Sequence, residues 1–95
     1  MTVTKKVVFV AKDGCIDELK TLLGTMIQAS RVEDGCLLYN IYQMKEKPNT
    51  FVVVEAWENE EALEGHKKSE HYLLYKSKYE QFTADKYSDN LISLG

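Results

Sequence analysis

Proline occurs once in this chain of 95 residues, at Pro48, and cysteine only twice, at Cys15 and Cys36. There is no CxxC pair and no dense cysteine framework, which excludes the disulfide scaffolds that hold small secreted domains together. Cys36, beside Leu37 and Leu38, reads as a small buried hydrophobe, and nothing near either cysteine in sequence would activate a thiolate. Long hydrophobic runs are missing too. The opening MTVTKKVVFVAKDG has an apolar run of only five residues, too short for the apolar region of a signal peptide or for a membrane span, so a cytoplasmic protein is expected. A basic stripe is also absent. The longest basic runs are Lys5-Lys6 and Lys67-Lys68 and the net charge is -3, which argues against nucleic acid as a partner. No internal repeat or low-complexity segment interrupts the chain.

What is present fits one domain over residues 1–95 with a modest core, because a chain this short buries only about two thirds of the surface it exposes when unfolded. Residues 2–11 end in a β-branched and aromatic run that predicts a strand, and Asp13-Gly14 marks a turn. Apolar residues then recur at Ile16, Leu19, Leu22, Leu23, Met26 and Ile27, the spacing of one helical face, which predicts an amphipathic helix to about Arg31. Glu33-Asp34-Gly35 breaks it. CLLYNIYQM (36–44) and TFVVVEAW (50–57) read as two strands joined by a loop around Pro48. Asn59 stands at a helix N-cap, with Glu60 and Glu61 in the first turn and Lys67-Lys68 in the last, and Ser69 caps a further helix starting at Glu70. A polar connector over 83–89 and a short final strand over 90–94 complete the expected order.

This β-α-β-β-α-α-β order is the α+β, ferredoxin-like split βαβ arrangement with one extra helix. Its helices cover one face of the sheet. VVFVA and FVVVEAW are nevertheless apolar on both sides, Val8 and Val10 opposing Val7 and Phe9, and Val52, Val54 and Ala56 opposing Phe51, Val53 and Trp57. A sheet apolar on both faces requires cover on both. The simplest solution is a second copy packed face to face, giving a homodimer through the sheet faces.

The chemistry-bearing residues gather in EAWENEEALEGHKKSEHYLLY (55–75). On one continuous helix His66 and His71 would lie about 140° apart around the axis; a break at Ser69 could reorient them, but no third ligand sits at a recognisable spacing, so no metal is expected. His66 continues the face of Ala62 and Leu63 toward the sheet, where it either hydrogen-bonds as a core-edge histidine or orients a ligand in a cavity. His71 falls in the first turn of a helix, where a neutral imidazole can accept a proton as a general base requires. Trp57 offers a flat wall and one N–H donor, while Tyr72, Tyr75 and Tyr79 form a stripe whose hydroxyls need partners. Asn40 lies within the second strand on the face shared by Cys36, Leu38 and Tyr42, so it sits at a sheet edge or lines a pocket; Glu55 raises the same question, its plainer answer being an ion pair with a lysine or with a group of a partner subunit.

In joint order and spacing, the Gly-Cys-Leu entry to the second strand, the E-x-W that ends the third and the A-L-x-x-H-x-x-S-x-H-Y helix pair resemble the antibiotic biosynthesis monooxygenase (ABM) domain family, most closely its quinol monooxygenase branch. The resemblance covers nearly the whole chain. It implies a dimeric α+β barrel with a pocket in each protomer, and oxygenation of phenols or hydroquinones without flavin, haem or metal. The protein then binds the flat ring, supplies a base and excludes water. Trp57 matches the family's strand-end tryptophan, and His66 and His71 match the two histidines of the quinol-oxidising branch; with the residue reading above, His71 is expected as base, His66 as the orienting or polarising group, Trp57 and Tyr75 as aromatic walls, and Tyr72 and Asn40 as further substrate contacts. Two departures narrow it. Val53-Val54 stand where relatives acting on polyketide quinone precursors carry an Asn-Tyr pair, and Lys76 stands where haem-degrading relatives place a ligating histidine. A branch that isomerises a phosphorylated quorum-signal product shares the two histidines but has tyrosine in place of Trp57. A non-catalytic small-ligand binding dimer is the remaining alternative. An RNA-binding split βαβ domain is set aside, because TFVVVEAW lacks exposed base-stacking aromatics.

Overall fold

Alternation decides which side of each strand meets the helices. In the computed structural model, which describes all 95 residues, the chain runs β1 (Val3–Ala11), α1 (Ile16–Arg31), β2 (Cys36–Gln43), β3 (Thr50–Trp57), α2 (Glu60–Lys67), α3 (Glu70–Phe82) and β4 (Thr83–Leu91). The four strands form one antiparallel sheet in the order β2-β3-β1-β4, the ferredoxin-like topology expected from the element order. Phe51, Val53, Glu55 and Trp57 of β3 and Phe9 and Ala11 of β1 are buried on the helix-bearing face. Against them pack Leu19, Leu22, Leu23 and Met26, which are the apolar stripe of α1, together with Leu63 of α2 and Tyr75 of α3.

Local chemistry sets the ends of α2 and α3. The Asn59 side chain accepts from the Ala62 N–H, and Ser69 Oγ accepts from the Tyr72 N–H, so each helix begins where a short oxygen-bearing side chain satisfies an otherwise unpaired donor. Gly35 adopts φ +83°, a conformation glycine reaches without strain, and its carbonyl accepts from the Glu58 N–H at 2.8 Å. A Cβ at this position would stand 2.5 Å from Ala62 Cβ. The loop after α1 is thereby pressed against the start of α2.

Two features differ from the sequence expectations. The last strand is Thr83–Leu91, following directly on α3, rather than a connector and a strand over 90–94. As an edge strand exposed along almost its whole length, it has no apolar alternation to read; its ladder with β1 defines it. The second difference lies in β2, where the register shifts between Cys36 and Leu38. This bulge puts Cys36 opposite Trp57 on the helix face and moves Leu38, Asn40 and Tyr42 to the other face.

That other face carries no helix. It presents Val8, Val52, Val54 and Ala56 at its centre, flanked by Leu38, Tyr42, Tyr87 and Leu91, all four of them exposed. No helix of the chain is long and apolar enough to cross a membrane.

Candidate functional site

Two residues, Lys68 and Ser69, separate α2 from α3, and they turn the chain enough to reverse the helical geometry expected of the two histidines. Ser69 Oγ donates to the His66 carbonyl at 2.7 Å while it caps α3, closing one helix and opening the next. His71, in the first turn of α3, therefore comes back toward His66, with ring centroids 5.8 Å apart. Between them stands Glu33, from the loop after α1. Its Oε2 accepts from His66 Nδ1 at 2.6 Å and from His71 Nε2 at 2.8 Å. An ionised carboxylate only accepts, so both of these ring nitrogens carry protons, and in the neutral form of the His66 ring Nε2 is then the acceptor nitrogen. The expected break at Ser69 reorients the two histidines, and Glu33, which no sequence spacing pointed to, supplies the third donor that the sequence reading found missing.

His66 is almost fully buried and lines a partly open cavity of about 90 Å³ between sheet and helices. Its Nε2 has no hydrogen-bond partner in the chain. Phe9, Val53, Met26 and Leu63 form the apolar body of the cavity, and Tyr39, Tyr72 and Tyr75 bring phenol rings to it. Burial pushes all three phenols up from their usual range, and the Glu55 carboxylate adds to the shift at Tyr39 and Tyr72. They are neutral hydroxyls. Lys5 and Lys86 also line the cavity, from β1 and β4. The Lys86 ammonium lies 4.6 Å from the centre of the Tyr79 ring and 5.5 Å from that of Phe9. Burial lowers the Lys86 ammonium below the ordinary lysine range, with the Lys76 and Lys5 charges acting in the same direction. An anion bound in the cavity would oppose that shift.

Three of the six expected site residues meet at the cavity: His66, Tyr72 and Tyr75. The other three do not. Trp57 is fully buried behind His66, with its ring 4.5 Å from the imidazole centroid at a tilt of 32°. Its indole N–H donates to Glu55 Oε1 at 2.8 Å, which makes Trp57 a support for His66 rather than a wall, and gives Glu55 an indole partner rather than a lysine. His71 turns toward Glu33 and does not border the cavity. Asn40, moved across the sheet by the β2 bulge, sits at the sheet edge, where its Oδ1 accepts from Arg31 at 2.9 Å.

Sequence reading passed over Glu33 and Lys86. Glu33 gave no signal beyond an acidic turn, since its partners lie 33 and 38 positions away. Lys86 becomes legible once 83–91 is taken as a strand. Its pairing with Phe9 then places it on the cavity face.

A split βαβ sheet covered on one face by helices, with an aromatic-lined cavity and a carboxylate-held imidazole in its wall, places the chain in the ferredoxin-like α+β class. The chain belongs to the antibiotic biosynthesis monooxygenase family, whose model matches residues 2–78. A Mycobacterium tuberculosis protein named "putative monooxygenase" is 33% identical over 73% of this chain and 67% of its own length. A Bacillus subtilis protein of the same description is 32% identical over 57% of each chain. In three dimensions a Pseudomonas aeruginosa protein superimposes with a TM-score of 0.94 at 29% identity, covering 99% of this chain and 95% of its own. The mycobacterial protein does so with a TM-score of 0.92 at 27% identity, covering 100% and 97%.

Proposed function

We propose that the chain is a monooxygenase that oxidises a small hydroquinone or related phenol with molecular oxygen, with His66 as the group that accepts the phenolic proton and no organic or metal cofactor in the oxygenation. The observation that carries this reading is the His66 imidazole, which lines the cavity, has no hydrogen-bond partner at Nε2 and is held at Nδ1 by Glu33. A base needs an unprotonated nitrogen facing the substrate and an acceptor behind it to stabilise the imidazolium that forms. Deprotonation makes the ring electron-rich enough to react with oxygen. The Lys86 ammonium would favour the phenolate, and the neutral Tyr72 and Tyr75 hydroxyls can donate to ring oxygens. At about 90 Å³ the cavity is smaller than the roughly 150 Å³ space that admits benzene in an engineered protein core. A single ring therefore enters as the half-buried Tyr72 or the Lys86 chain moves aside, and larger polycycles are disfavoured.

The test is oxygen uptake by metal-free protein with a panel of hydroquinones and hydroxynaphthalenes. Turnover of one-ring hydroquinones ahead of two-ring compounds is expected. No uptake above background with any of them would sink the proposal. The lysines favour a second reading, isomerisation of a small phosphorylated compound, because Lys5, Lys67 and Lys86 all border the cavity and would suit a phosphate. Thermal stabilisation by phosphorylated sugars in the absence of oxygen uptake would support it.

The same reading includes a homodimer through the bare sheet face. Tyr42 and Tyr87 are 56% and 51% exposed in the single chain, and together with Leu38, Leu91 and the central valines they form an apolar surface that a second copy would cover. Light scattering at micromolar concentration should return twice the chain mass of 10.9 kDa, and a Val54→Lys variant should return the mass of one chain. A wild-type protein of single-chain mass would refute the pairing.

A further inference from the structure

We infer that Glu33, His66 and His71 form a divalent-cation site of the two-histidine, one-carboxylate type, beside an acidic mouth distinct from the cavity. The three donor atoms come from three separate segments and all lie within 4.8 Å of one another. Borderline-soft cations such as Zn²⁺ and Co²⁺ take this donor set, usually with water in the fourth position. A second observation points the same way. Glu33 lines not the cavity but an adjoining open concavity that also carries Asp34, Glu58 and Glu61. Four carboxylates around one opening raise the local concentration of cations at the point where Glu33 reaches the histidines. Glu33, which lines that mouth, keeps 16% of its side-chain surface and His71 keeps 21%, so two of the three donors are partly open to solvent.

The 2.6 and 2.8 Å separations are those of hydrogen bonds in the metal-free chain. Metal–nitrogen and metal–oxygen bonds of about 2.0–2.2 Å at a tetrahedral angle set ligand atoms about 3.3 Å apart. The carboxylate must therefore withdraw by roughly half an ångström as the ion replaces the two ring protons between the groups. For His66 that has a chemical consequence. With the ion on Nδ1 the neutral ring carries its proton on Nε2, the nitrogen facing the cavity. The imidazole then donates where it previously accepted, and a site that fills with metal switches off its own base.

The experiment is a titration of chelator-treated full-length protein with Zn²⁺ by calorimetry and with Co²⁺ by visible absorption. One ion per chain is expected, with the intense visible bands of four-coordinate Co²⁺. Glu33→Gln and His71→Ala should each weaken binding at least about tenfold. Both positions are partly exposed, and circular dichroism confirms that the variants fold. Non-saturable binding, or binding unchanged in both variants, overturns the site. The consequence for His66 rests on the function proposed above and has its own readout. Oxygen uptake should fall in proportion to site occupancy, and uptake undiminished at saturating Zn²⁺ overturns that consequence. The titration needs no substrate, so failure of the oxygenase reading and failure of the metal site give different results.

Discussion

Trp57→Ala is expected to remove a large share of the folding stability. The indole is fully buried at the end of β3, in the row that contains Phe51 and Val53, and it stacks on His66. Deleting a buried aromatic side chain costs about 3–5 kcal/mol, from lost transfer energy and from the cavity left behind. A chain of this length has about 5–14 kcal/mol in all. The loss is compounded at Glu55, whose Oε1 accepts the indole N–H while the residue is only 7% exposed. Leaving a buried acceptor without its donor adds about 1–3 kcal/mol. Urea denaturation followed by far-ultraviolet circular dichroism, at one fixed protein concentration because a dimer's stability depends on it, should show a clearly lower midpoint or an unfolded chain. Trp57→Phe keeps a ring against His66 and loses the N–H, so a smaller loss of about 1–3 kcal/mol is expected. A Trp57→Ala midpoint equal to that of the wild type would contradict the place assigned to the indole.

The part Trp57 plays shows where sequence reading reached and where it stopped. Its strand, its end position and its face follow from the alternation of TFVVVEAW, and the burial of every second residue from Phe51 to Trp57 agrees with that alternation. The α1 stripe and the caps at Asn59 and Ser69 were legible in the same way, because spacing and a single side-chain oxygen determine them locally. β4 was not legible. Thr83–Leu91 is polar and exposed, and only the β1 ladder makes it a strand, so Lys86 was lost from the candidate site along with it. Asn40 was misplaced by one bulged residue in β2, since a period of two turns a single extra residue into a change of face. The relation between the histidines depends on the angle through which Lys68-Ser69 turns the chain and on a carboxylate far away in sequence. No periodicity encodes either.

That last point changes which histidine should matter most. His66→Gln is expected to lower kcat/KM for a hydroquinone by about 10²–10⁴-fold, the usual contribution of a positioned general base, whereas His71→Ala should cost less than about tenfold, because His71 reaches the cavity only through Glu33. Glutamine can still donate to Glu33 Oε2, which limits disturbance of the loop after α1, but it cannot take a proton from the substrate. Glu33→Gln should fall between the two. The amide no longer stabilises an imidazolium by charge, and it can present its NH₂ group to Nδ1, which favours the tautomer with the proton on the wrong nitrogen. Steady-state oxygen consumption on chelator-treated protein orders the three variants, and circular dichroism confirms that each is folded. If His71→Ala abolishes turnover while His66→Gln spares it, the base belongs at the start of α3 and the substrate must approach from the acidic mouth rather than from the cavity. If all three lose activity equally, the triad acts as one unit, as groups that share a proton do, and neither histidine alone can be named the base.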